Sequence, residues 1–188
     1  YKRQYFRENV LGANAPDAKT AGKTLFEDAA IRLWTLDDEV VIASIKSKMH
    51  TISAEVTSGL AKGLEIAEAG YKGLVIWSYD GPFSAGADLQ SMMPAFMAGG
   101  GKAIAPFEKQ LQDFMLSLRY SNVPTVAAMH GLALGGGCEL AVHCAKRVAA
   151  METYVGLVAV GVGLIPGGGG LAYQARRAAS LLGTYKGI

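Results

Sequence analysis

Three glycine-bearing segments hold the residues best suited to chemistry: 83–88 (FSAGAD), 131–137 (GLALGGG) and 165–170 (IPGGGG). In the second, Gly135-Gly136-Gly137 opens into the helix-like run Cys138 to His143. Glycines at a helix start leave backbone N–H groups free, because the first turn has no internal acceptors and the helix dipole is positive there. Donors so placed suit a site where negative charge develops on an oxygen. Glu139 stands two residues past the triple glycine, among the apolar Cys138, Leu140 and Ala141. Burial raises a carboxyl pKa towards neutrality, which suits a group that must both take and give a proton. Taken alone, one such loop is explained by tight strand-to-helix packing; for Glu139 the apolar neighbours favour a functional role over a solvated helix position.

Familiar glycine-loop chemistries fit poorly. Gly161-Val162-Gly163 leads to Pro166 where a dinucleotide fingerprint needs its third glycine, and the phosphate-loop pattern ending in Gly-Lys-Ser/Thr is absent. Phe83-Ser84-Ala85-Gly86 resembles the nucleophile elbow of serine hydrolases, with Asp88 and His130 following in chain order. Pro82 replaces the leading glycine, and Asp88 is only four residues from Ser84, too local for the usual triad.

The elements that must position these residues follow from periodicity. Residues 1–26 are polar and broken by Gly12, Pro16 and Gly22, as in a linker or extended arm; residues 27–188 read as one core. Ile31 to Leu36 and Val40 to Ile45, around Asp37-Asp38, predict a hairpin. Ser53 caps a helix running to Ala69, with Val56, Leu60, Leu64 and Ala67 on one face and Gly70 as its stop. Gly73 to Trp77 and Val123 to Met129 read as strands buried on both faces, with a helical stripe of Phe107, Leu111, Phe114 and Leu118 between them. Pro94 and Gly99-Gly100-Gly101 mark a mobile connection before that stripe. A short helix around Cys138 to His143 and a strand at Arg147 to Met151 follow. Alternating strands and helices predict an α/β fold with a parallel sheet.

Composition excludes several classes. At 188 residues, half of them apolar, the chain suits one domain with a real core. A net charge of +2 points to no nucleic acid partner, and no run reaches the roughly 18 apolar residues of a membrane span. Cys138 and Cys144 form neither a disulfide framework nor a metal-type pair, so no metal is expected. The opening YKRQYFR has no signal-peptide core, which makes the cytoplasm the default, and the missing initial methionine suggests excision from something longer.

Together, and in this order, the loops closely resemble the crotonase (enoyl-CoA hydratase/isomerase) superfamily over about residues 27–177. The resemblance implies a spiral of ββα units, often trimeric, acting on acyl-CoA with no prosthetic group. It makes the backbone N–H groups of Ala87 and Gly136 an oxyanion hole for the thioester carbonyl. Ser84, Ala85, Gly86 and Asp88 frame that hole, with the structural reading preferred for Asp88. Lys48 and Met49 match the family's first CoA-side loop, while Pro166 and Gly167 belong to its third loop. Met92, Met93, Phe96 and Met97 either line an acyl tunnel or are plain core. The YKRQ lead-in resembles hydratase parts fused to a 3-hydroxyacyl-CoA dehydrogenase of fatty acid β-oxidation.

Family hydratases place two glutamates around one water, and Glu139 matches the first. The second belongs seven residues before Pro166, where this chain has Ala159. Losing one of two acid–base groups costs on the order of 10²–10⁴ in rate, so the resemblance implies an impaired hydratase. Divergence to another reaction, compensation by another acid, or a non-catalytic acyl-CoA-binding domain are the alternatives; Glu152, one strand earlier, is not expected to help. The run around Ala159 reads as strand. After Arg176-Arg177 the family's C-terminal helical section is unmatched, which suggests that it is missing or incomplete.

Overall fold

The structure, a computed structural model, describes residues 20–184. Its strands are β1 (Lys23–Glu27), β2 (Ile31–Thr35), β3 (Val41–Ile45), β4 (Leu74–Ile76), β5 (Thr125–Met129), β6 (Leu132–Leu134), β7 (Lys146–Ala149) and β8 (Tyr154–Gly156). Six of them make one sheet in the order β1-β2-β3-β4-β5-β7. β1, β2 and β3 are antiparallel neighbours, whereas β3, β4, β5 and β7 run parallel.

The expected hairpin is β2–β3, with Ile31 opposite Ile45. Its buried polar atoms satisfy one another: Trp34 Nε1 donates to Ser44 Oγ at 3.0 Å, and that hydroxyl donates to the Trp77 carbonyl at 2.8 Å. Residues 23–26, assigned above to a linker, instead build most of β1. Leu25 and Phe26 pack against the core, which a polar lead-in broken by Gly22 conceals. Gly22-Lys23-Thr24 has the residue types of a phosphate-loop ending but lacks the glycine five positions earlier, and it opens a strand and not a helix. The earlier part of that segment, through residue 19, lies outside the described residues, as do residues 185–188.

Helix α1 (Ala54–Gly70) begins where Ser53 Oγ accepts the Val56 N–H at 3.3 Å. Val56, Leu60, Leu64 and Ala67 are all buried against the sheet, and the helix runs through Gly70 to end at Tyr71. Helix α2 (Leu89–Arg119) is capped by Asp88, whose side chain accepts the Ser91 N–H. The mobile connection expected at Pro94 and residues 99–101 is helical on both sides; only Gly100 leaves helical geometry, with φ 59°. One glycine at positive φ kinks a helix without turning its neighbours into a loop. Leu111, Phe114, Met115 and Leu118 carry the buried stripe.

Helix α3 (Gly136–His143) follows β6, and α4 (Gly170–Thr184) ends the described chain. β6 and β8 pair in a separate two-stranded parallel sheet that periodicity does not reveal, since three residues are too few to show alternation. The run around Ala159, expected as strand, is a 3₁₀ turn, Ala159–Val162. Gly163, left-handed at φ 77°, closes it, and Val160 and Val162 face solvent. Among the described residues no helix is long and apolar enough to cross a membrane.

Candidate active site

The first glycine loop is laced to two neighbours by backbone hydrogen bonds. Phe83 and Ser84 donate to the carbonyls of His130 and Leu132, and Leu134 donates back to Ser84. On the other side, the Ile52 N–H donates to Gly86 O at 2.8 Å and the Asp88 N–H to Ile52 O at 3.0 Å. Ile52 itself is fully buried in the core. This parallel bridge places Ala87 opposite Ile52. In such a bridge the flanking residues make both bonds, so the Ala87 N–H points away from Ile52.

Gly136 is the first residue of α3, where an N–H has no intrahelical partner. The two expected donors are adjacent: a β-carbon placed on Gly136 would lie 3.4 Å from Ala87 N. Gly86 makes the approach possible. Its φ is +102°, and a β-carbon there would sit 2.8 Å from Leu134 O, inside contact distance.

Ala87 and Gly136 border a cavity of ≈ 290 Å³. Leu89, Met92, Met93 and Phe96 give it an apolar wall, and residues 164–168 form the facing side. Met97, grouped with these by sequence, is 78% exposed and does not line it. Pro166, Gly167 and Ala159 line the cavity as expected.

Glu139 lines the cavity from α3 and is only 3% exposed. Its Oε1 accepts the Gly170 N–H at 2.9 Å. Burial pushes its carboxyl above the ordinary range, opposed by backbone N–H bonds from Gly170 and Gly168. A second carboxylate, Glu108 of α2, lines the same cavity and was not anticipated. Burial raises its pKa first, and the charge of Glu139 raises it further. The signal was present in the spacing: Ile104, Glu108, Leu111, Met115 and Leu118 form one helical stripe with a carboxylate inside it.

Other expected residues have different places. Ser84 is fully buried, its hydroxyl donating to His50 O at 2.7 Å and accepting the Gly86 N–H at 3.1 Å. It is a brace for the loop, and the serine-nucleophile reading fails on that geometry. Asp88 caps α2, and Ala85 donates its N–H to Met49 O. Lys48 and Met49 are the exposed residues of a 3₁₀ turn (Lys48–His50) beside a separate depression. His50 rests on the Pro82 carbonyl with Asp80 at 3.4 Å, and His143 Nδ1 meets Glu139 O. Glu152 is exposed and does not line the cavity. Cys138 and Cys144 are buried and unpaired with each other. Among the described residues no group of three or more His, Cys, Asp or Glu side chains is placed to hold a metal ion.

The family model for enoyl-CoA hydratase/isomerase matches residues 39–182. The chain belongs to the enoyl-CoA hydratase/isomerase family. It is 37% identical over 164 residues to a probable 3-hydroxyacyl-CoA dehydrogenase of Bacillus subtilis, covering 87% of this chain and 21% of that protein. It is 39% identical over 133 residues to a putative fatty acid oxidation complex trifunctional enzyme of Rickettsia felis, covering 71% of this chain and 18% of the relative. The chain thus spans about a fifth of the curated relatives it matches. Its fold superposes on an enoyl-CoA hydratase from Polaromonas sp. JS666 with a TM-score of 0.72 at 28% identity, covering 78% of this chain and 58% of the other. A putative enoyl-CoA hydratase/isomerase (crotonase) from Legionella pneumophila gives 0.71 at 27% identity, covering 83% and 62%. The α/β architecture is the crotonase fold of this family, in the portion those structures share with the chain.

Proposed function

We propose that this chain is an enoyl-CoA hydratase-type domain of fatty acyl-CoA β-oxidation, impaired by the alanine at position 159. The observation that carries the reading is the meeting of Ala87 N and Gly136 at the edge of a cavity that also holds the buried Glu139. Two N–H donors bind the thioester oxygen of a 2-enoyl-CoA and take up the charge that moves onto it as water adds to the β-carbon. Glu139, whose carboxyl burial raises above the ordinary range, is suited to exchange a proton with that water. The apolar wall of Leu89, Met92, Met93 and Phe96 receives the acyl chain. The similarity to a probable 3-hydroxyacyl-CoA dehydrogenase supports a covalently attached dehydrogenase that would oxidise the hydration product.

The test follows the enoyl-thioester absorbance of crotonyl-CoA with this chain and its Ala159→Glu variant. Hydration that rises by orders of magnitude in the variant is the expected result. If neither protein turns over crotonyl-CoA, the hydratase reading fails. Binding of butyryl-CoA by both would then leave the second reading, a domain that holds acyl-CoA without converting it, which Ala159 favours.

A further inference from the structure

We propose that Glu108 is a second acid–base residue of this cavity, supplying opposite Glu139 the carboxyl group that position 159 lacks. The proposal rests on the reading of the cavity as an enoyl-thioester site.

The geometry is specific. Glu108 Oε2 lies against Gly167 and Glu139 Oε2 against Gly168, so the two carboxyl groups close on consecutive residues of the third loop. β-carbons on these glycines would stand 2.6 Å and 2.7 Å from the respective oxygens. Side chains at these two positions would force both carboxylates to shift. Both carboxylates line the one cavity with Ala87 and Gly136. Glu108 Oε2 is buried and has no hydrogen-bond partner within the protein. A buried polar atom left without a partner costs free energy unless something else meets it, and Glu108 lines the cavity.

Their surroundings divide the roles. Burial raises both carboxyls, but Glu139 also receives backbone N–H bonds that favour its ionised form, whereas Glu108 faces the negative charge of Glu139 as well. A negative charge on Glu139 disfavours ionisation of Glu108, so the working proton is placed on Glu108. Hydration then balances as follows. Water, held between the carboxyl groups, gives a proton to ionised Glu139 as its oxygen bonds the β-carbon. The π electrons move onto the thioester oxygen, forming an enolate held by the two backbone N–H groups. The enolate collapses as protonated Glu108 delivers its proton to the α-carbon. The pair again carries one proton, now on Glu139, and its transfer to Glu108 resets the site.

The experiment compares crotonyl-CoA hydration by the 188-residue chain, Glu108→Gln and Ala159→Glu, alongside butyryl-CoA binding by calorimetry. The expected result is a slow parent activity that falls about 10²-fold in kcat in Glu108→Gln. Butyryl-CoA affinity stays within about twofold, and the alkaline limb of the kcat–pH profile disappears. Retained affinity reports a folded variant, which a structural role for Glu108 would not combine with a lost pH limb. A Glu108→Gln variant as fast as the parent overturns the proposal and leaves the hydratase reading intact. So does a parent without measurable turnover while Ala159→Glu hydrates well. If no variant hydrates crotonyl-CoA, both readings fall.

Discussion

Ala87 and Gly136 meet backbone to backbone, with 3.4 Å between the Ala87 nitrogen and the point where a side chain at Gly136 would start. The same point lies 3.7 Å from the Ile52 side chain. A β-carbon there already makes van der Waals contact, so Gly136→Val adds two methyl groups beside the Ala87 N–H. The expected outcome is at least a tenfold loss of butyryl-CoA affinity by calorimetry. Unfolding stability should drop by about 1–3 kcal/mol.

Gly86→Ala tests the other half of that junction. Alanine at φ +102° is strained, and its β-carbon would press on Leu134 O. Urea unfolding should show a loss of about 1–3 kcal/mol. A variant as stable as the parent would mean that the loop relaxes away from β6.

The carboxyl pair makes stability depend on pH in a stated direction. Glu139 and Glu108 both have folded pKa values raised above the ordinary 4.5, by burial in each case and by Glu139's charge for Glu108. The native state therefore holds protons that the unfolded chain has released, so stability falls as pH rises from about 4.5 through the folded values. Their contribution is fully present below 4.5 and lost above the raised pKa values. The urea midpoint of the parent, relative to that of a Glu108→Gln/Glu139→Gln double variant, should be higher at about pH 5 than at about pH 8.

Ser84 provides a check on loop bracing. Ser84→Ala removes the donor to His50 O and the acceptor of the Gly86 N–H. The cost should be about 1–3 kcal/mol in chemical unfolding. Fluorophosphonate labelling of the parent should be nil, since the hydroxyl is fully buried and already committed.

The thiols should be silent until the chain opens. Burial pushes Cys144 up to about 12 and raises Cys138 as well, and each is 3% exposed. Ellman's reagent should find no reactive thiol in the folded chain at mildly alkaline pH and both thiols in concentrated guanidinium.

Much of this arrangement is legible in the amino-acid pattern because it depends on local signals. Ser53 with Val56, Leu60 and Leu64 specifies α1 by capping and period, and the triple glycine announces the start of α3. Elements that depend on distant partners are harder to read. β6 and β8 exist because Gly135 N–H reaches Gly156 O and Tyr154 N–H reaches Gly131 O across twenty or so residues, with three residues per strand to advertise them. Ala159 sits in valine-rich sequence that favours strand, yet Gly161 and Gly163 turn it into the cavity wall. Glu108 was hidden by its chain distance from the glycine loops. A carboxylate within an apolar stripe is a visible oddity, but only the packing of α2 beside α3 brings it to Glu139's cavity.

Ile52 spends its side chain on the core and its peptide groups on the loop that carries Ala87. On the proposed role of Ala87, heat resistance and ligand affinity are thereby read from one position. A library randomised at residue 52 and selected only for survival on heating would also enrich for chains that keep the Ala87 N–H aligned. The reverse selection, for binding, would return a tighter core.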